Sequence, residues 1–455
     1  MATELRTALE RPTPAFGLAA FRALFGALML VSVVRFAAMG WIDELLVAPA
    51  FHFTYLGFEW VKPLPAPLMH ACFALMGTAA LGLCLGAFTR VSALVFFLTF
   101  TYAELIDKAT YLNHYYLVSL LAFLLIFLPC STVLSVDAWR RPEVRRETAP
   151  AWAYIVLRLQ LSLVYFFAGF AKLNPDWLLS AEPLRTWLFA HGDAPLVGPW
   201  LREPWVAYAM SYGGAAFDLS VGFLFWRRPL VRPVYALCAL FHLAVWALFP
   251  IGLFSFVMLV ATTVFFEPSW PASLLARWRR PSDEARGVRV ATPDPRPLGL
   301  VPLVLLALFL LVQLVTPLRF LAYPGNPNWT EDAFRFAWRV MLIEKTGSAE
   351  FRVETPRGTR TVRPREELTE LQVKMMSTQP DMIHEYARHL ARRFETPEAS
   401  PRVYADAWAA LNGRPSQRLI DPTVDLAAEP RTLAPARFVV PLRTREREAW
   451  ALSER

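Results

Sequence analysis

Lysine is nearly absent from this 455-residue chain, which has five, at 62, 108, 172, 345 and 374, against 41 arginines. Guanidinium serves wherever a permanent cation is needed, so each lysine asks for its own reason. Cysteine is scarce as well. The four, at 72, 84, 130 and 238, lie in or at the ends of apolar stretches. None follows residue 238, which excludes a disulfide in the C-terminal part, and no Cys/His spacing fits a zinc site, so no metal is expected. There is no glycine-rich phosphate loop and no Ser/His/Asp set at a recognisable spacing. Repeated halves with paired broken helices are also missing, which weakens a transporter reading.

Apolar residues are abundant. The chain is 55% hydrophobic, with 34 Phe and 16 Trp, too apolar for a soluble domain. Nine stretches approach the roughly 20 residues that span a bilayer. They lie near 14–39, 66–87, 90–107, 113–130, 151–172, 206–227, 232–248, 251–267 and 298–317. The short ones at 90–107, 232–248 and 251–267 are the weakest, and two tight pairs allow a helical hairpin or a re-entrant segment. The first span reads as a retained signal anchor.

The net charge of +8 needs no nucleic acid to explain it. With the N-terminus inside, sixteen arginines between Arg6 and Arg296 fall on one set of loops. The opposite loops hold Lys62, Lys108, Lys172, Arg185 and Arg202. This positive-inside bias places the N-terminus in the cytoplasm and the C-terminal domain outside. The expected fold is a polytopic α-helical membrane protein of about nine transmembrane helices with a small C-terminal α+β domain outside the membrane.

Composition divides the chain into a membrane body over 1–317, with an Arg/Pro-rich linker at 277–297, an outer domain over 318–442, and a charged tail over 443–455. In the outer domain, EFRVET and RTVRP flank PRG at 356–358 as a hairpin. EELTELQVKMM and PDMIHEYARHLARRF have helical spacing. VYADAWAAL and the 419–426 segment read as further strands. The same topology gathers the 1–2 loop, the 3–4 turn, the 5–6 loop, FPIG at 249–252 and the outer domain on one side. A site between the bundle mouth and that domain is therefore expected.

Lys172 closes the run AWAYIVLRLQLSLVYFFAGFAK at 151–172. A buried ammonium loses its proton readily, which makes Lys172 a candidate base. A lysine snorkelling to the interface has the same sequence. Asn113 and His114 open a span, where an N-cap and a helix-interface histidine would also stand. Asp218 and His242 lie within spans, where buried pairing is the minimum expectation and structural glue serves as well as a site. Arg22, Arg35 and Arg158 are read as structural partners of Glu104 or Asp218. His52 is read as packing in an aromatic loop, and His384 and His389 as solvated on a surface helix.

Seven segments now fall in order: FHFTYLGFEWVKPLP (51–65), YLNHYYL (111–117), VYFFAGFAKLNPDW (164–177), FDL (217–219), FHLAVWALFPIG (241–252), NWTEDAFRFAWRVML (328–342) and NGRPSQRLIDPTVDL (412–426). Together they resemble the vitamin K-dependent γ-glutamyl carboxylases and their bacterial relatives, the horizontally transferred transmembrane domain (HTTM) proteins. The resemblance covers roughly 15–428. It implies an enzyme that uses reduced vitamin K, O2 and CO2 to convert peptide glutamate to γ-carboxyglutamate, releasing the quinone epoxide. It implies that Lys172 deprotonates the hydroquinone, that His114 and Asn113 support that step, and that Trp338 helps hold the glutamate. Phe334 and Phe336 stand where the animal enzymes carry tyrosines. The aromatic 51–60 loop, with His52, and the 334–338 segment are expected covers that exclude water. Partners implied are a glutamate-containing peptide or protein and membrane lipid, with no nucleic acid. The arginine-heavy usage points to a bacterial inner membrane, where menaquinol is the available hydroquinone. The competing reading is a quinone- or lipid-binding membrane protein that keeps the fold without carboxylating a peptide.

Overall fold

The computed structural model describes residues 2–277, 299–397 and 399–443. The expected 277–297 linker and 443–455 tail lie, apart from Arg277 and Arg443, outside the described residues. Among those described, six helices are long and apolar enough to cross a membrane: Phe16–Ala38, Ala66–Leu85, Thr89–Ile106, Trp152–Ala171, Arg228–Leu248 and Leu300–Ala322. Three of the nine expected spans fall outside this set. Two of the expected spans form shorter apolar helices, Asn113–Phe127 and Phe254–Phe265. The first ends because Leu128 turns extended ahead of Pro129, which disfavours helix in the residue before it. The helix Pro204–Leu224 has the length, 21 residues, but Ser, Gly, Tyr and Asp218 dilute its apolar character.

Among the described residues, the arginines at 22, 35 and 158 close no salt bridge with the carboxylates expected for them. Arg22 donates through Nη2 to the Leu134 carbonyl. Arg158 donates through Nε to the Val264 carbonyl, and Arg35 stacks over Trp41. A loop carbonyl, a carbonyl at a helix end and an aromatic face take their place.

The outer domain is built on a four-stranded antiparallel sheet. Its strands, in spatial order, are Gly358–Val362, Lys345–Thr355, Arg402–Leu411 and Gln417–Arg418. The hairpin expected at 356–358 is present, closed by the pair Thr355 and Gly358. The strand expected over 419–426 is cut short: regular pairing runs to Arg418, the Leu419 amide still donates to the Ala407 carbonyl, and Ile420 makes an isolated bridge to Val439. A turn at Asp421-Pro422, in which Asp421 Oδ1 accepts from the Thr423 amide, diverts the chain.

Helices Glu370–Met376 and Pro380–Arg393 cover the sheet. Ile383, Tyr386, Ala387 and Leu390 bury one face of the second against Phe351, Val353 and Ala405. That packing corrects the reading of His384 as solvated. It is buried, and its Nε2 lies 3.0 Å from the Glu429 carbonyl oxygen. His389 is partly buried, 3.4 Å from Glu367.

This helix pair docks the domain on the membrane body. Lys108 Nζ lies 2.7 Å from Asp381 Oδ2 and 2.8 Å from Glu385 Oε2. Glu385 Oε1 accepts from the Thr54 amide and hydroxyl. Asp107, 1% exposed, accepts from the Ala109 amide and from Gln372 Nε2. Burial pushes its carboxyl up to about 6, and the nearby Glu385 adds to the effect.

A raised carboxyl pKa means that the folded state holds this proton more tightly than the unfolded chain. The resulting destabilisation is absent below about pH 4 and grows as pH rises to about 6. Asp107→Asn should therefore raise the thermal midpoint near neutral pH, by the equivalent of about 1–3 kcal/mol, and change little near pH 4. Melting curves at the two pH values check this.

Candidate functional site

Three helices each present one face, at helical spacing, to a single cavity. From Trp152–Ala171 come Val164, Tyr165 and Ala168, then Lys172 just past its end. From Pro204–Leu224 come Met210, Gly214 and Asp218. From Val231–Leu248 come Phe241, His242 and Val245. Trp177, Leu184, Phe249, Phe254 and Met258, with Val340 and Met341 of the outer domain, complete the walls around about 70 Å³ of space.

Lys172 Nζ donates to Asp218 Oδ2 at 2.7 Å and to the Ala168 carbonyl at 3.2 Å. It sits 5.2 Å from the Trp177 ring centroid. Lys172 and Asp218 are both buried, so the pair is an ionisable dyad set in apolar surroundings. Behind it, the Tyr165 hydroxyl lies 2.9 Å from His242 Nε2 and 3.2 Å from Cys238 Sγ. His242 Nδ1 is buried with no hydrogen-bond partner among the described residues.

The helices meet this closely because residue 169 is glycine. A Cβ there would stand 2.6 Å from the Leu219 amide nitrogen and 3.0 Å from the Asp218 carbonyl carbon. Backbone cannot yield as a side chain does, so Gly169→Ala should cost about 1–3 kcal/mol and weaken the Lys172–Asp218 contact. A lowered thermal midpoint together with reduced activity would bear this out.

The segment after Lys172 is clamped to the outer domain. Asp176 takes Arg414 through two contacts, Nη1–Oδ2 at 2.8 Å and Nη2–Oδ1 at 2.5 Å, and accepts from Asn412 Nδ2 at 3.1 Å. Trp177 Nε1 donates to the Ser211 carbonyl, which ties the same segment to the Asp218 helix. On the outer side of this segment lies a larger cavity of about 770 Å³, walled in part by Asp176, Trp329, Asp332 and Arg414.

Of the residues singled out in sequence, Lys172, Asp218 and His242 share one cavity. His114 is buried beside it, not in its wall. Its ring lies 4.6 Å from Tyr115 and 5.8 Å from Phe254, and Phe254 is itself a wall residue 5.8 Å from His242. Asn113 has turned to the outer domain: Nδ2 donates to the Arg339 carbonyl, and Oδ1 accepts from the Tyr111 hydroxyl.

Trp338 is buried and stacked on Tyr116 at 5.0 Å. Phe336 packs against Tyr55, Tyr111 and Tyr116, and Phe334 lies beneath Arg339. His52 Nε2 is 3.0 Å from the Leu46 carbonyl oxygen, away from the cavity walls. The strap that carries Phe334, Phe336 and Trp338 holds Glu331, Ala333, Phe336, Trp338 and Met341 at φ between +54° and +64°. So many non-glycine residues in the left-handed region mark a segment fixed by its surroundings at a conformational cost.

Sequence reasoning missed Tyr165, Trp177 and Phe254. Tyr165 lies seven residues before Lys172, two turns along the same helix, so its place on the lysine face was available from spacing.

Residues 10–270 match the family model described as HTTM domain, and residues 300–445 match the one described as vitamin K-dependent gamma-carboxylase, lumenal domain. No solved structure matches the chain.

Proposed function

The chain belongs to the vitamin K-dependent gamma-carboxylase family, and from that premise we propose that it carboxylates the γ-carbon of peptide glutamate, using a reduced quinone, O2 and CO2, with Lys172 and Asp218 as its proton-handling pair. The observation that carries this reading is the 2.7 Å contact between the two in an apolar cavity.

The donor set suits a hydroquinone. Lys172, Asp218, Tyr165 and His242, whose Nδ1 has no partner among the described residues, supply the polar groups, and aliphatic and aromatic side chains make up the rest of the walls. When bound and oxygenated, the hydroquinone supplies a base strong enough to remove a glutamate γ-proton, which no side chain achieves at neutral pH. Lys172 Nζ passes its proton to the Asp218 carboxylate, 2.7 Å away, as it takes that of the bound hydroxyl, so the pair ends as an ammonium and a carboxylic acid beside the quinol anion. His242 and Tyr165 orient the ring through hydrogen bonds. His114 acts from behind Phe254, and Asn113 acts by holding the strap. The strap, with Trp338, Phe334 and Phe336, keeps water out and the peptide glutamate in place, with His52 in the neighbouring aromatic cover. The larger outer cavity receives the flanking peptide. The products are γ-carboxyglutamate, quinone epoxide and water.

The setting is a bacterial inner membrane with menaquinol as hydroquinone, the N-terminus cytoplasmic and the outer domain, residues 318–442, periplasmic. The test is fixation of labelled bicarbonate into a glutamate peptide by purified protein, with and without hydroquinone. Label that depends on hydroquinone supports the reading. Tight quinol binding with neither label nor epoxide, using vitamin K hydroquinone and menaquinol alike, would instead establish the quinone-binding alternative.

A further inference from the structure

At the opposite end of the Trp152–Ala171 helix from Lys172, the segments at 88–91 and 128–150 line a second space of about 620 Å³. Three arginines, Arg90, Arg141 and Arg146, stand in its walls. Among the described residues, none of the three closes a salt bridge, although the charge of Arg141 acts on Asp137 across the space. Two acids share the space. Asp137 is already committed, accepting from the Phe88 and Thr89 amides and from the Thr89 hydroxyl, each at 2.8 Å. Glu143 is exposed.

Two further observations ask for an anion. The Thr132 hydroxyl, in the same wall, is buried and has no hydrogen-bond partner among the described residues. Behind the wall, Arg22 is fully buried. It spends Nη2 on the Leu134 carbonyl and leaves Nε and Nη1 unpaired among the described residues. Its charge adds to the field of the other three, because a buried guanidinium keeps its proton and is weakly screened.

The other half of the space is apolar, with Phe88, Val91, Leu128 and Pro129. It opens onto a ridge of exposed Val91, Leu94 and Leu98, which share one face of the Thr89–Ile106 helix at i, i+3 and i+7. A basic end joined to a lipid-facing apolar lane is the shape of an anionic phospholipid, not of a free metabolite.

We propose that this cavity binds the phosphoryl headgroup of an anionic phospholipid, held by Arg90, Arg141, Arg146 and the Thr132 hydroxyl, with an acyl chain along the Val91–Leu98 ridge. Guanidinium forks match phosphate oxygens in pairs, and the hydroxyl donates to a third oxygen. The assignment is independent of the chemistry at Lys172.

The test is native mass spectrometry of the full chain in micelles doped with equal phosphatidylglycerol and phosphatidylcholine. Wild type should retain phosphatidylglycerol with a preference of about tenfold or more. Arg90→Gln, Arg141→Gln and Arg146→Gln together should abolish that preference. Arg227→Gln, Arg228→Gln and Arg232→Gln remove the same charge from exposed positions outside the cavity and should preserve it. Equal loss in both triple variants would mean a diffuse basic surface and would overturn the site.

If the first triple variant does not fold, Thr132→Val decides. The preference should fall about threefold, and an unchanged preference would overturn the proposal. Glycerol 3-phosphate should compete with the lipid, whereas chloride at matched ionic strength should not. Uptake of glycerol 3-phosphate without any lipid preference would assign the cavity to a free phosphate ester and overturn the lipid assignment.

Discussion

Replacing Lys172 by alanine is expected to lower hydroquinone epoxidation and glutamate carboxylation together, by about 10²–10⁴-fold, the usual contribution of a positioned base. Asp218→Asn should fall in the same range, and the double variant should be little worse than either, because the two groups at 2.7 Å act as one unit. Lys172→Ala alone also leaves a buried carboxylate without its cation, which costs about 3–5 kcal/mol. Loss of fold and loss of chemistry must therefore be separated. Lys172→Met with Asp218→Asn removes both charges and keeps the volume. It should melt close to wild type and remain inactive. A stable double variant that still forms epoxide would remove the dyad from the mechanism.

The second large effect is expected at Arg414. Its two contacts to Asp176 fasten the segment that follows Lys172 to the end of the outer sheet, and both side chains are nearly buried, at 8% and 7% exposure. Arg414→Ala takes the cation from the Asp176 carboxylate and leaves it the Asn412 Nδ2 donor, at a cost of about 3–5 kcal/mol. Arg414→Lys should rescue only part of this, since an ammonium cannot reproduce a two-point contact. Amide exchange should accelerate in 173–180 and around 412, while the sheet core at Phe351 and Ala405 stays protected. Arg414→Ala that melts like wild type would show that the clamp contributes little.

Much of this arrangement was legible in sequence. Charge counting alone put the 1–2 loop, the 3–4 turn, the 5–6 loop and the outer domain on one side, and the structure joins them through Thr54, Lys108 and Asp176 to Glu385, Asp381 and Arg414. The scarcity of lysine has a broader structural reason than a single base. Lys108, Lys172 and Lys345 are all buried against carboxylates, so scarcity marked buried ammonium groups in general. What separates Lys172 from the other two is its cavity, which depends on three helix faces meeting in space.

Other features were hidden for physical reasons. A pair such as Lys172 and Asp218, 46 residues apart, leaves no local trace. The buried arginines were assigned to carboxylates because sequence does not show which backbone carbonyls a helix end leaves free. His384 was misread from the charges around it, although Ile383, Ala387 and Leu390 already marked a buried stripe. Three of the nine expected spans do not form helices of that length and apolar character among the described residues, because hydropathy registers apolar length, whereas Pro129 and the 249–252 turn decide where helix stops.

The central claim is that Lys172, in its apolar cavity, drives both halves of one reaction. Its most direct test follows epoxide formation and bicarbonate label in a glutamate peptide in parallel, with purified wild type and Lys172→Ala. The account predicts both products in wild type and the loss of both in the variant. Wild-type levels of epoxide in Lys172→Ala would contradict it.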